Sequence, residues 1–424
     1  MAVLSSQEII GIAKQTAFGT IPSTPTTDYS LVPVAAGGFS ASETFENIMD
    51  TGRRGSNAMD YQSYQGVGST EITLEFPMMW GNDTGGVGTT GSVLGILLRN
   101  FLSTGTETAS SGTAGGDNTP YRAEIVDGAS GGTLANWNNW FRLRNRESAE
   151  YLAISRTLLG GNTTDAVYTD CRVTEISITA NAGEGPVMVS ASLIGQIASL
   201  DSNEVTPGYG TISDKVVLGW RNDLIATSSA IEGTAAGASS TPYQNILFGL
   251  DVYDTTVSNT KNRLISFDLT MSREGTPVYS LANSKEYQDI YLGPLEVTYS
   301  AVAQLDARDQ ARIRGFRTTA GDSSPNTRYN TRISFTQGTA YNDLTARALS
   351  IGIADSTPLE APMEIDTSGA YATLSMSGRA LATNDDLELS SADYDSTNAF
   401  DKSPVEIQIT ELGANNSDAP PTYS

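Results

Sequence analysis

Apolar and polar residues alternate with a period of two through much of this chain. Over residues 69–76, Ile72, Leu74 and Phe76 fall on one side and Glu71, Thr73 and Glu75 on the other. That is the pattern of a half-buried strand. The alternation recurs over residues 172–180 (Ile176, Ile178), 186–193 (Val187, Val189, Ala191, Leu193), 265–271 (Phe267, Leu269, Met271) and 295–305 (Val297, Tyr299, Ala301). Late in the chain, residues 370–376 and 405–409 repeat it. Two segments have helical spacing instead. Residues 91–102 carry Leu94, Leu97, Leu98 and Phe101 with Ser92 placed as a cap. Residues 306–316 begin with Asp306 as a cap and Asp309 in the first turn, where the helix dipole favours a negative charge. The predicted class is mainly β, with one short helix in each half.

The order of elements repeats. In the first half, residues 39–54 precede a glycine-bearing connection, the strand 69–76, a helix, and a closing strand pair, 172–180 with 186–193. In the second half, residues 267–279 precede a connection containing Gly293-Pro294, the strand 295–305, a helix, and a closing pair, 347–354 with 370–376. Residues 181–185 read as a hairpin loop. Polar, glycine-rich stretches at 199–213 and 228–241 put a boundary near residue 200, giving units 1–200 and 201–424. Residues 414–424, with Asn415, Asn416, Pro420 and Pro421, read as a frayed tail.

Composition narrows the chemistry. The 424 residues include no histidine and one cysteine, Cys171. Ser-His-Asp and Cys-His nucleophiles, imidazole metal sites, disulfide frameworks and Cys-cluster metal sites are all excluded. There are 48 Asp and Glu against 25 Lys and Arg, a net charge of −23. A field of that sign repels nucleic-acid backbone and anionic membrane. The N-terminal residues show no basic region followed by an apolar run, so no secretory signal is expected, and no run of about 18 apolar residues predicts a membrane helix. A binding or structural protein kept in a reducing cytoplasm remains, or an enzyme working with carboxylates alone.

Few segments could carry such chemistry. Gly85-Gly86-Val87-Gly88 through Ser92 precedes a helix but lacks the Lys-Ser/Thr that completes a phosphate-binding loop, so it reads as a strand-to-helix connection. Asp385, Asp386, Glu388, Asp393, Asp395 and Asp401 offer hard oxygen ligands of the kind calcium takes, at spacings that fit no EF-hand. A solvated acidic loop accounts for them as well. Glu71 and Glu75 share a strand face, as a hydrolytic carboxylate pair would, without an evident aromatic cleft. Trp137-Asn138-Asn139-Trp140-Phe141 reads as core or interface packing ahead of a sugar platform. Cys171 reads as a small buried residue.

Several segments, in this order, resemble the tail tube (major tail) proteins of long-tailed bacteriophages. Gly11-Ile12-Ala13-Lys14-Gln15-Thr16-Ala17-Phe18-Gly19-Thr20 before a Pro/Thr run is similar to their opening. Asp50-Thr51-Gly52-Arg53-Arg54-Gly55, then Gly66-Val67-Gly68-Ser69 and its strand, resembles their first long hairpin. Asp170-Cys171-Arg172-Val173-Thr174-Glu175-Ile176 and residues 187–193 look like the pair that closes their first half. Residues 266–305, with Pro277-Val278-Tyr279 and Asp289-Ile290-Tyr291-Leu292-Gly293, resemble the matching hairpin of a second half.

The resemblance implies two tandem β-sandwich domains of tail-tube type whose sheets join around a ring. The rings stack into a hollow conduit for genome ejection, and a two-domain chain would give a trimeric, pseudo-sixfold ring. It implies a non-enzymatic structural subunit without cofactor or metal, in the tail of a virion assembled in the host cytoplasm. The implied partners are further copies of the chain, a tape measure protein, a tail terminator, and distal tail or baseplate proteins. DNA would pass the lumen without specific binding, and no membrane would be engaged. On this reading Glu71, Thr73, Glu75, Glu296, Thr298 and Ser300 face the lumen, the alternative being polar faces that meet solvent on the outside, and an arm containing Gly11, Ile12, Lys14, Phe18 and Gly19 reaches a neighbouring ring. Arg53, Arg54, Arg273 and Arg308 pair with acids across subunits or form ordinary surface pairs. The insertions 81–91 and 104–118 would decorate the tube or join rings. The alternative is a β-sandwich surface adhesin or binding module.

Overall fold

The computed structural model describes residues 8–15, 17–22, 29–50, 62–78, 92–102, 121–125, 136–143, 150–157, 166–181, 186–196, 264–280, 287–304, 329–337, 347–382 and 403–412. The expected helix 306–316, the boundary stretches, the insertions, the acidic loop, the C-terminal tail, Arg53, Arg54 and Arg308 lie outside the described residues.

The strands, in chain order, are β1 (Ile9–Lys14), β2 (Ser30–Val32), β3 (Phe39–Asp50), β4 (Gln62–Pro77), β5 (Tyr121–Ile125), β6 (Asn136–Arg142), β7 (Leu152–Thr157), β8 (Ala166–Asn181) and β9 (Met188–Gly195). They continue as β10 (Leu264–Ser272), β11 (Gly275–Val278), β12 (Asp289–Leu292), β13 (Glu296–Gln304), β14 (Tyr329–Gln337), β15 (Arg347–Asp366), β16 (Thr373–Arg379) and β17 (Val405–Leu412). A single helix, α1 (Val93–Leu102), is seen among the described residues. The molecule is mainly β, and every described strand pair is antiparallel.

The pairing pattern occurs twice. β3 pairs with β4, β4 with β9, and β9 with β8. In the second half β10 pairs with β13, β13 with β16, and β16 with β15. In chain order each set therefore runs first, second, fourth, third. The sets meet where β8 pairs with β10, from Glu175↔Ser272 to Asn181↔Ser266. Eight strands follow one another as β3-β4-β9-β8-β10-β13-β16-β15.

The third strand of each set is long and changes partners along its length. The beginning of β8 pairs with β7 and its later part with β9 and β10. Residues 347–353 of β15 pair with β14 and β17, and only residues 357–366 reach β16. The expected closing pair, 347–354 with 370–376, is thus displaced along both strands, and β16 begins at Thr373. Alternation fixes which face a side chain takes but not which partner each part of a long strand meets. Both strands change partner near an irregularity, between Val173 and Glu175 in β8 and between Pro358 and Met363 in β15. β5 and β6, though before residue 200, extend the second set through β17, with Phe141 opposite Ile407.

One core cluster runs through both sets. It gathers Ile10 and Ile12 from β1, Leu74 from β4, Phe267 from β10, Phe335 from β14 and Ile407 from β17. Cys171 and Phe141 lie in it. α1 is buried on all sides. Ser92 caps it as expected, its Oγ accepting the Gly95 N–H at 3.2 Å. At its other end the buried Arg273, carried just past β10, donates to the carbonyls of Phe101 (3.0 Å), Gly293 (2.8 Å) and Leu292 (3.3 Å). Arg273 is therefore an internal clamp between the helix of the first half and the hairpin of the second, not a surface or intersubunit partner.

Candidate functional site

Register brings polar residues of the eight consecutive strands onto one shared face, from Ser40 of β3 to Glu364 of β15. Strand periodicity sends Ile72, Leu74 and Phe76 into the core and leaves Glu71, Thr73 and Glu75 exposed. In β13, Val297, Tyr299 and Ala301 are buried while Glu296 and Ser300 are exposed and Thr298 is half-buried. Register shows that these two triplets share a surface. Thr73 lies opposite Ser192, Ser192 opposite Glu175, Glu175 opposite Ser272, and Ser272 opposite Glu296. A second row runs from Glu75 through Ser190, Ser177, Thr270 and Thr298 to Arg379. Ser40 extends the first row onto β3.

The face is made of Ser and Thr side chains punctuated by carboxylates. Ser177 and Thr270 hydroxyls are 3.0 Å apart across the joint between the sets, and Ser300 Oγ donates to Asp268 at 3.2 Å. Glu71, Glu75, Glu175, Asp268, Glu296, Glu364 and Asp366 project from it. Arg379 is its one cation among the described residues, 3.3 Å from Glu296 with both side chains about half exposed. A negative, hydroxyl-rich, cation-poor sheet has no means of gripping phosphate. Among the described residues no group of three or more His, Cys, Asp or Glu is disposed to hold a metal, and no helix is long and apolar enough to cross a membrane.

The N-terminal segment lies elsewhere. Gly11 and Ile12 are buried in β1, which pairs with both β2 and β7 of the same chain. Lys14 forms an ion pair with Glu150 at 3.2 Å, and Glu150 also receives the buried Arg99 at 2.7 Å. The following turn is pinned by Asp170, a fully buried residue with φ +54°. Its Oδ1 accepts the Gly19 N–H at 2.7 Å and Gln15 Nε2 at 3.3 Å, while its own N–H donates to Gln15 Oε1 at 2.7 Å. Tyr287 Oη donates to the Asp170 carbonyl at 3.1 Å, and Gln196 Nε2 donates to the Tyr287 carbonyl at 3.3 Å. Phe18 stands edge-on to Tyr151, with ring centroids 5.2 Å apart, and remains about one-third exposed. Within the expected arm, Phe18 and Gly19 are thus the residues presented to the outside, whereas Gly11 and Ile12 belong to the subunit's own sheet.

Burial sets the titration of this cluster. It pushes the Cys171 thiol well up, with the Asp170 charge adding to the effect. It pushes up the Tyr287 phenol, and that of Tyr151, which also donates to Asp289 Oδ1 at 2.6 Å. Asp170, Gln15, Gln196 and Tyr287 escape sequence reasoning because the bonds that join them to one another span 91 to 155 residues. The one local signal is an aspartate set within an otherwise β-forming run, a residue type that tolerates positive φ.

A scan against protein-family models and a search of the curated proteins find no match to this chain.

Proposed function

We propose that this chain is a structural subunit of a long-tailed bacteriophage tail tube, its two halves acting as tandem tail-tube-type domains of a closed ring. The observation that supports it most is the joint between β8 and β10. There the third strand of one four-stranded set pairs with the first strand of the next, and the polar face runs across without interruption. The same two kinds of strand end the series: β3, a first strand, at one side and the later part of β15, a third strand, at the other. Repeating the internal joint from chain to chain pairs β15 of one copy with β3 of the next. That is a head-to-tail contact that closes into a ring and removes exposed sheet edges.

Three chains set six four-stranded units around the axis. Barrels of roughly 16–18 strands already leave an aqueous channel, and eight strands from each of three chains exceed that. The apolar face is filled by the subunit's own core, so the Ser, Thr and carboxylate face lines the bore. Glu71, Thr73, Glu75, Glu296, Thr298 and Ser300 then repel a passing polyanion, and DNA slides without being held. In this reading the protein performs no chemistry. Tape measure, terminator and baseplate proteins meet the tube at its interior and ends.

Negative-stain electron microscopy of the purified protein across a concentration series tests the proposal. Rings or striated hollow tubes support it. Monodisperse single subunits at every concentration would favour a β-sandwich binding module.

A further inference from the structure

Each four-stranded set carries a hairpin that overhangs its sheet, and among the described residues only one of the two overhangs is covered. In the second set, β11 and β12 continue the β10–β13 hairpin and fold onto the first set. Ile290 and Leu292 are buried with Ile194, and Tyr287 packs by Gln196, beyond the end of β9. In the first set, β9 pairs with β4 only from Thr70 onward, while β3 and β4 remain paired out to Asp50↔Gln62. Among the described residues this arm is two-stranded. It exposes Phe45 (40%), on the side of β3 that carries Phe39 into the core, and Met49 (50%), beyond the irregularity between Phe45 and Asn47.

By position in the repeat, what β11–β12 finds at the end of β9 a β3–β4 arm would find at the end of β16. A groove of about 780 Å³ lies there, bordered by Leu143, Leu295, Arg379, Leu381, Ala382 and Pro404. The arm cannot fill it in its own chain, because β3 and β16 stand six strand spacings apart, roughly 25–30 Å along the sheet. We propose that the β3–β4 arm of one copy docks, through Phe45 and Met49, in the groove at the end of β16 of a second copy. This docking rests on the ring reading and supplies a contact beside the β15–β3 edge. It also makes the interface one-way, arm into groove, so association runs head to tail.

The test uses the full-length chain carrying Met49→Cys and Ala382→Cys together, treated with a short bis-maleimide; the native Cys171 is buried and stays silent. Denaturing gels should show a ladder of covalent oligomers in the double variant and none in either single variant. Rings seen by microscopy without such a ladder would overturn the arm docking and leave the ring standing. Neither rings nor ladder would overturn both. As a second measurement, the pair Phe45→Glu and Met49→Glu should raise the concentration needed for assembly more than tenfold with unchanged circular dichroism. Unchanged assembly would count against the docking.

Discussion

Asp170 and Gly19, 151 residues apart, are joined by a 2.7 Å hydrogen bond from the glycine N–H to a carboxylate with no exposed surface. The bond fastens the N-terminal turn to β8, and the Asp170 carbonyl holds Tyr287 of the second half. Removing the side chain leaves the Gly19 N–H without its acceptor and takes one of two acceptors from Gln15 Nε2, which keeps the Thr20 carbonyl at 3.0 Å. Asp170→Ala should therefore cost about 2–3 kcal/mol. Asp170→Asn keeps an acceptor and tolerates the left-handed backbone at φ +54°, so it should cost about 1 kcal/mol. Urea titration of the two variants should reproduce that order.

Alkaline pH should destabilise the fold. Cys171, Tyr151 and Tyr287 all have their proton affinity raised by burial from ordinary values of 9.0 and 10.0. Between about pH 9 and 11 the unfolded chain releases these protons while the folded chain keeps them, so the unfolded state gains stability. Their contribution is complete below about pH 9 and is lost as pH rises. The melting temperature should fall over that interval, and Tyr287→Phe with Cys171→Ala should flatten the fall. In the native state a maleimide should leave Cys171 unmodified, and urea should expose it.

Tyr299 and Gly378 are cross-strand neighbours, and a Cβ on the glycine would overlap the tyrosine ring. Tyr299 is 4% exposed and cannot swing away freely. Gly378→Ala should cost about 1–3 kcal/mol. Pairing it with Tyr299→Val should recover part of the loss, read as a coupling in a double-mutant cycle.

The polar face should tolerate reversal of charge without loss of fold. Glu71→Lys, Glu75→Lys and Glu296→Lys replace exposed side chains, and each should change stability by no more than about 0.5 kcal/mol. The triple variant should retain duplex DNA in a filter assay at low salt and release it as salt rises, where the wild-type protein retains none. Equal retention by both would show that this face does not govern contact with DNA.

Strand content was legible because it depends on local alternation. Ile72 and Glu71, or Val297 and Glu296, declare opposite faces within a few residues. Ser92 likewise marks the start of α1 by its position before an apolar run. The change of partner along β15 was not legible, since both parts of that strand alternate in the same way. Nor was the joining of β6 to β17, which links Phe141 with Ile407 across more than 260 residues. Arg273 read as a surface cation because nothing near it in sequence reveals the Phe101 carbonyl it caps. The six polar residues of β4 and β13 were each assignable to an outer face. That they form one surface became visible only through the intervening strands β9, β8 and β10.

Cryo-electron microscopy of the assembled protein, with the cross-section resolved to individual strands, tests the central claim most directly. The account predicts a continuous sheet around the bore, with β15 of each copy paired to β3 of the next and the Thr73–Glu296 and Glu75–Thr298 rows pointing inward. Copies that meet through other elements, or a sheet whose acidic face points outward, would contradict it.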